Sequence, residues 1–353
     1  MAASVSAASR VFLDQLDAGA RELLLRGARP VSFVEGAQLV SHGQPARGAF
    51  ILRTGSAEAC IPAPGGERVP VAQIGPGGIF GEMALVDLGT CTATVRATAA
   101  IDGWYVAHED FRAMVAQRDP AARDLQHAIT LVLAAKLQAT NERLDACDSP
   151  EDLPARVPPA GGEPLARFAR RRRASFDLPA FLPALAFFEK FTPDEIDEVA
   201  AAAAVLEPSR GQPLFLAGGP ADAAFLVVRG AVEIVRPRGD LERRVAILGP
   251  GRPFGFIGAL LEAPHGASAY VRESATILEI SRTAFRDLYF GQSPASPRLR
   301  AAVQKSLLES LARTNRALTR LESHARLRAA IGEASQLEAV RLGQLWMQAD
   351  QSR

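Results

Sequence analysis

The chain has 353 residues, 48% hydrophobic and 22% charged, which suits two domains with ordinary cores and excludes a wholly disordered polymer. Its 40 basic and 39 acidic side chains leave a net charge of +1, against a surface given over as a whole to nucleic acid. Cys60, Cys91 and Cys147 are an odd count at wide spacings, a poor disulfide framework and no metal-ligand pattern.

Of the basic residues only Lys136, Lys190 and Lys305 are lysine, a bias that a GC-rich coding sequence explains more cheaply than phosphate chemistry. The opening MAASVSAASR lacks a basic segment followed by an apolar core, so no signal peptide is expected. The longest apolar stretch, residues 199–206, is far below the roughly 20 residues that span a bilayer. A soluble, cytoplasmic protein with no membrane contact is the expectation.

In chain order, residues 16–25 read as a short amphipathic helix. β-prone runs follow at residues 49–53 and 57–62, punctuated by Gly and Pro. Gly75-Pro76-Gly77 marks a turn before the segment 78–95. Apolar or small residues then fall at Ile129, Leu133, Leu137, Thr140, Leu144 and Cys147, the stripe of a long helix. The simplest expectation lays that helix on its own barrel; pairing with another helix, in the same chain or a second subunit, is the alternative. Residues 149–178 have linker composition. They contain Arg170-Arg171-Arg172-Arg173-Ala174-Ser175-Phe176, a solvated basic run or a phosphorylation site at Ser175.

The order then repeats. A helical stretch at residues 193–205 precedes β-prone runs at 225–228 and 232–235, a Gly249-Pro250-Gly251 turn, and a second stripe at Val303, Leu307, Leu311, Thr314, Leu318 and Leu321. Aligning Phe50-Ile51-Leu52-Arg53-Thr54-Gly55 with Phe225-Leu226-Val227-Val228-Arg229-Gly230 sets an offset of 175, which also pairs Gly36 with Gly211 and Pro45 with Pro220. From Gly75 onward the offset is 174, and it holds through Thr140-Asn141 and Thr314-Asn315. One deletion accounts for the change, in the hairpin signalled by Pro64-Gly65-Gly66 and Pro237-Arg238-Gly239-Asp240. The domain is duplicated, with expected bounds of 10–148 and 179–323 around the linker. A tail at 324–353 carries Ile331, Leu337, Val340, Leu342, Leu345 and Trp346 as one more amphipathic helix. Many short strands with regular turns predict an α+β, mainly β, class.

The most unusual segment is Phe80-Gly81-Glu82-Met83-Ala84-Leu85, followed seven residues on by Thr92-Ala93-Thr94-Val95. It resembles the phosphate cassette of the cyclic-nucleotide-binding domain family, which includes regulatory subunits of cAMP-dependent protein kinase and the bacterial catabolite activator. The resemblance covers both copies, about 300 residues, and implies two tandem jelly-roll β-barrels. Each barrel would have flanking N-terminal helices and a long C-terminal helix, with the tail as a further helix. It implies a ligand such as cAMP or cGMP, with Gly81, Glu82, Met83, Ala84, Cys91, Thr92 and Ala93 as the contacts in the first copy. In the second, weaker copy the matching residues are Gly255, Phe256, Ile257, Gly258, His265, Gly266 and Ala267.

The chemistry of that resemblance is plain. A short helix starting near Gly81 would aim backbone N–H groups at a phosphate. Glu82 accepts hydrogen bonds only, which suits a ribose hydroxyl. The family then clamps the phosphate with an arginine, and here the chain departs: Cys91 and His265 hold the two arginine positions, and Phe256 replaces the second glutamate. Cys91 is open to three readings: a buried thiol, part of a pocket for an uncharged purine, or a redox-sensitive group. His265 is a neutral loop histidine or a cation at low pH. Phe256 reads as an apolar plug.

His42, His108, His127, His265 and His324 show no metal-binding spacing, and no nucleotide-hydrolysing or hydrolase signature is present, so neither a metal, a cofactor nor an enzyme is expected. Too little chain follows the second copy for a DNA-reading domain of the catabolite-activator type. The expectation is a cyclic-nucleotide sensor that passes its state to a protein partner, with homodimerisation through the closing helices an option. The alternatives are a nucleotide-independent scaffold or dimerisation protein, or a binder of a non-cyclic purine.

Overall fold

The computed structural model of the chain describes residues 12–62, 68–117, 119–147, 149, 152–156, 164, 168–170, 174 and 176–350, with side chains of the last helix through 323. Ser175, where the basic run left a solvated linker or a phosphorylation site open, and the neighbouring 171–173 lie outside the described residues.

The first copy opens with α1 (Ala18–Gly27), whose N-terminus is capped by Asp17 accepting from the Ala20 amide at 2.6 Å. Among the described residues two antiparallel four-stranded sheets follow. One contains β1 (Arg29–Phe33), β8 (Ile101–Ala107), β3 (Gly48–Thr54) and β6 (Ile79–Phe80), in that spatial order. The other contains β2 (Gln38–Val40), β7 (Thr94–Ala97), β4 (Ala57–Pro62) and β5 (Arg68–Ile74). Between them lies a core of Leu52, Ala57, Ile74, Phe80, Val95 and Ile101. The short α2 (Met83–Val86) sits in the cassette, and α3 (His108–Ala116) and α4 (Pro120–Ala146) close the copy.

The second copy has the short α5 (Leu178–Phe181) and then α6 (Pro193–Ala201), the latter opened by a reciprocal capping box between Thr192 and Glu195. Its strands are β10 (Ala203–Leu206), β11 (Pro213–Phe215), β12 (Ala223–Arg238), β13 (Leu241–Leu248), β14 (Pro253–Phe254) and β15 (Ser268–Ser281). α7 (Phe256–Leu261), α8 (Arg282–Phe290) and α9 (Ala295–Asp350) complete it. β12 and β15 each run through what are two strands in the first copy, so the β-prone runs at 225–228 and 232–235 are one strand, kinked where the register shifts around Gly230. Gly230 and its counterpart Gly55 have φ of 82° and 79°, and a Cβ at either would collide with the facing backbone, at Ser274 and Ala100. The expected pair of antiparallel β-barrels with closing helices is present.

Three expectations are corrected. The helix from Pro193 stops at Ala201, and residues 203–206, with Val205, form a strand paired to β15, because that face is buried against the sheet. The tail is not a separate helix: α9 continues unbroken to Asp350, since Gly332 alone costs only about 1 kcal/mol in a helix and no proline follows. The linker is docked where it is described. β9 (Leu153–Pro154) pairs with β13, the buried Asp152 carboxylate receives Arg238 and Arg243, Phe168 packs on the second barrel's core, and Arg170 meets Glu279 at 2.7 Å.

The closing helices pack on each other as well as on their barrels. Gln126 touches Arg300 and Thr130 touches Gln304, each pair 174 residues apart, and Leu144 and Leu318 share one cluster. Equivalent residues meet along the whole seam only if α4 and α9 run parallel, in register, about a local two-fold axis. The stripe that the sequence offered to a second subunit is thus filled within the chain.

Candidate functional site

In the first copy β6 pairs with β3 and delivers the chain to Gly81, whose φ of 74° lies in the left-handed region. A Cβ there would stand 2.6 Å from the Gly48 oxygen, so glycine is required both for its φ and for its closeness to β3. The cassette helix begins at Met83, two residues later than expected, and the Ala84 and Leu85 amides bond back to the oxygens of Gly81 and Glu82. His108 Nδ1 lies 2.6 Å from the Ala84 oxygen and ties this turn to α3.

Gly81, Glu82, Met83, Ala84, Cys91, Thr92 and Ala93 all line one cavity of about 750 Å³. Barrel residues Ala59, Ile61, Val71 and Ala72 form its apolar wall. Lys136, Thr140 and Arg143 enter from α4, and Leu311, Asn315 and Leu318 from α9, so both closing helices complete the site. Glu82 is only 2% exposed, and its carboxylate receives Lys136 Nζ at 2.6 Å. Arg143 donates to the Val71 oxygen and to Glu322. Cys91 is held by backbone bonds to Gly43 and Gln44, and burial pushes its thiol pKa up, which disfavours the thiolate that a redox-sensitive group needs.

Sequence reasoning missed Arg47, Tyr105, Lys136 and Asn315. Lys136 is separated from Glu82 by 54 residues, and nothing local joins them. Asn315 had a signal, the repeated Thr-Asn pair, but its place in the other copy's cavity needed the helix seam.

The second copy is filled. Gly255 keeps the left-handed φ of 74°, but Phe256 is buried where Glu82 stands, and Ile257 and Gly258 pack inward, Gly258 against Ala221. His265 stacks on Phe215 with ring centroids 3.7 Å apart, and burial pushes its pKa down to about 4, so it is a neutral loop histidine and no stand-in for arginine near neutral pH. Gly266 gives its oxygen to Arg236 Nη1 at 2.8 Å, and Ala267 is half-buried beside it. Arg236 occupies the position of the cavity-lining Ile61, and its Nε reaches the Asp145 carboxylate from α4 at 2.7 Å. An internal ion pair and aromatic rings thus fill the place of the first copy's open space.

Among the described residues there is no group of three or more His, Cys, Asp or Glu side chains able to hold a metal, and no helix long and apolar enough to cross a membrane.

Comparison with known proteins agrees with the duplication. Residues 30–118 and 206–291 each match the family "Cyclic nucleotide-binding domain". The cyclic AMP receptor protein of Thermus thermophilus is 33% identical over 96 residues, 27% of this chain and 44% of that protein. The CRP-like cAMP-activated global transcriptional regulator of Mycobacterium tuberculosis is 25% identical over 121 residues, 34% of this chain and 52% of that one. The chain therefore spans about half the length of the curated relatives it matches. Among solved structures, the regulatory domain of Toxoplasma gondii PKA with cAMP aligns over 85% of this chain and 92% of that one, at 18% identity and a TM-score of 0.31. With the repeat, the paired barrels and both matched segments in agreement, the chain belongs to the cyclic nucleotide-binding domain family and carries two tandem copies of it.

Proposed function

We propose that the chain is a regulatory sensor whose responsive site is the first copy's cavity, with a cyclic nucleotide (cAMP or cGMP) as ligand and a partner protein as receiver. The observation that carries this reading is the cavity itself, walled by the cassette on one side and by α4 and α9 on the other. A ligand there touches both the fixed barrel and the helices, so it can bind one helix arrangement better than another and shift the population toward it. The filled second copy acts as a scaffold that supplies α9. Its output surface is the closing helices with the tail. Three unpaired cysteines fit a reducing, cytoplasmic setting.

Cys91 and Thr90 at the phosphate end of the cassette favour a second reading, an uncharged purine nucleoside. Thermal stability of the full chain with cAMP, cGMP, adenosine and guanosine separates the two. Stabilisation follows RT ln(1 + [L]/Kd), and Glu82→Ala should abolish it. A flat response to all four at millimolar concentration leaves only the scaffold role.

A further inference from the structure

The first cavity has lost the family's arginine at Cys91, yet another arginine stands at the same end. Arg47 lines the cavity, and its backbone is held between the two halves of the cassette. On one side Pro45 bridges Thr90, and the Ala46 amide donates to the Gly89 oxygen at 2.8 Å. On the other side the Gly48 oxygen lies against Gly81. The side chain that springs from residue 47 therefore starts where the phosphate half and the ribose half of the cassette come together.

Its surroundings leave its charge available. Of the other cavity-lining cations, Lys136 is paired with Glu82 and Arg143 with Glu322. Arg47 is exposed, and among the described residues no carboxylate stands within 4 Å of it. Its charge is felt inside the site, since it favours ionisation of the cavity-lining Tyr105 against the stronger upward push of burial. The filled copy has the opposite chemistry here. Asp222 holds the position of Arg47 and pairs with Arg282 at 3.3 Å, while Glu279 holds that of Tyr105 and pairs with Arg170.

We infer that Arg47 is a relocated anion clamp: it supplies from β3 the positive charge that Cys91 cannot, and so directs the first cavity toward a ligand with an anionic phosphate over the matching nucleoside. This rests on the cyclic-nucleotide reading above and assigns the residue that sets its charge preference. An arginine offers planar, paired donors to phosphate oxygens, and its longer reach suits a position one strand away.

Calorimetric titration of the full chain with cAMP and with adenosine tests it, using the native sequence, Arg47→Gln and Arg47→Lys. The expected result is that Arg47→Gln weakens cAMP roughly ten- to a hundredfold and leaves adenosine unchanged, while Arg47→Lys, which keeps the charge without the planar fork, falls between the native chain and Arg47→Gln. Arg47 is exposed, so both variants should fold. The inference is overturned if Arg47→Gln changes cAMP affinity by less than about twofold or weakens both ligands alike; in either case the sensor reading stands. A native chain that binds adenosine but not cAMP overturns the clamp and supports the nucleoside reading. Binding of neither overturns both.

Discussion

Arg300 Nε donates to Gln126 Oε1 at 2.9 Å, and the two residues hold the same position in the two copies. Equivalent positions touch only on a local two-fold axis, so the duplication has built a symmetric helix seam inside one chain. The symmetry is broken at the sites: one cavity is open and charged, the other plugged. One open cavity thus faces a shared pair of helices, and the second copy supplies one of the two.

The seam contains a polar knot whose members differ in what their loss leaves behind. Thr130 is fully buried, accepts from Tyr289 Oη at 2.8 Å and from Gln304 Nε2 at 3.1 Å, and donates to the Gln126 oxygen. Thr130→Val strands the buried tyrosine hydroxyl and should cost about 1–3 kcal/mol, whereas Tyr289→Phe removes donor and need together and should cost about 0.5–1.5 kcal/mol. Urea unfolding midpoints at constant slope report the difference.

Lys136 and Glu82 form an asymmetric pair, the lysine 37% and the glutamate 2% exposed. Lys136→Met leaves a buried carboxylate without its cation and should destabilise the chain by about 1–3 kcal/mol, between the ranges for surface and buried pairs. Glu82→Gln frees the lysine to reach solvent and should cost less. The order of the two melting temperatures decides this.

His127 and His265 are both pushed down to about 4 by burial, below the ordinary value of about 6.5. The unfolded chain therefore takes up protons before the folded one does. Their contribution is complete above about pH 6.5 and is lost as pH falls toward about 4, at most about 3 kcal/mol for each. Denaturant titrations across this window should show stability falling with acid. The double variant His127→Gln/His265→Gln should flatten the profile.

Arg243 joins the copies. Its guanidinium reaches both oxygens of Asp152 at 2.7 Å and donates to the Leu144 and Cys147 oxygens at the end of α4. Cations at a helix C-terminus are favourable, and here the group also pins the linker. Arg243→Met should cost about 3–5 kcal/mol by leaving the buried Asp152 underpaired, and should speed trypsin cleavage within residues 170–173. Unchanged cleavage would show that β9 and Arg170 hold the linker without it.

The duplication, the barrel class and the seven cavity residues of the first copy were legible because they are local or repeated. A glycine at a left-handed turn, a cassette of fixed spacing and a stripe at helical period each announce themselves within a short window. His265 and Cys91 were visible as departures from the family pattern, but their states were not. Stacking on Phe215 and burial decide the histidine, and both depend on neighbours distant in sequence.

By itself the sequence determined that one domain occurs twice, which segment lines the first copy's cavity, and that neither copy has an arginine at the expected place. Only the tertiary structure decided that the closing helices pair within the chain, that the second pocket is filled by the His265–Phe215 stack and the Arg236–Asp145 pair, and that Arg47 and Lys136 reach the first. The physical reason is separation. Periodicity and turn chemistry act over a few residues, whereas a cavity and its charges are made by side chains that meet from strands and helices tens to hundreds of positions apart.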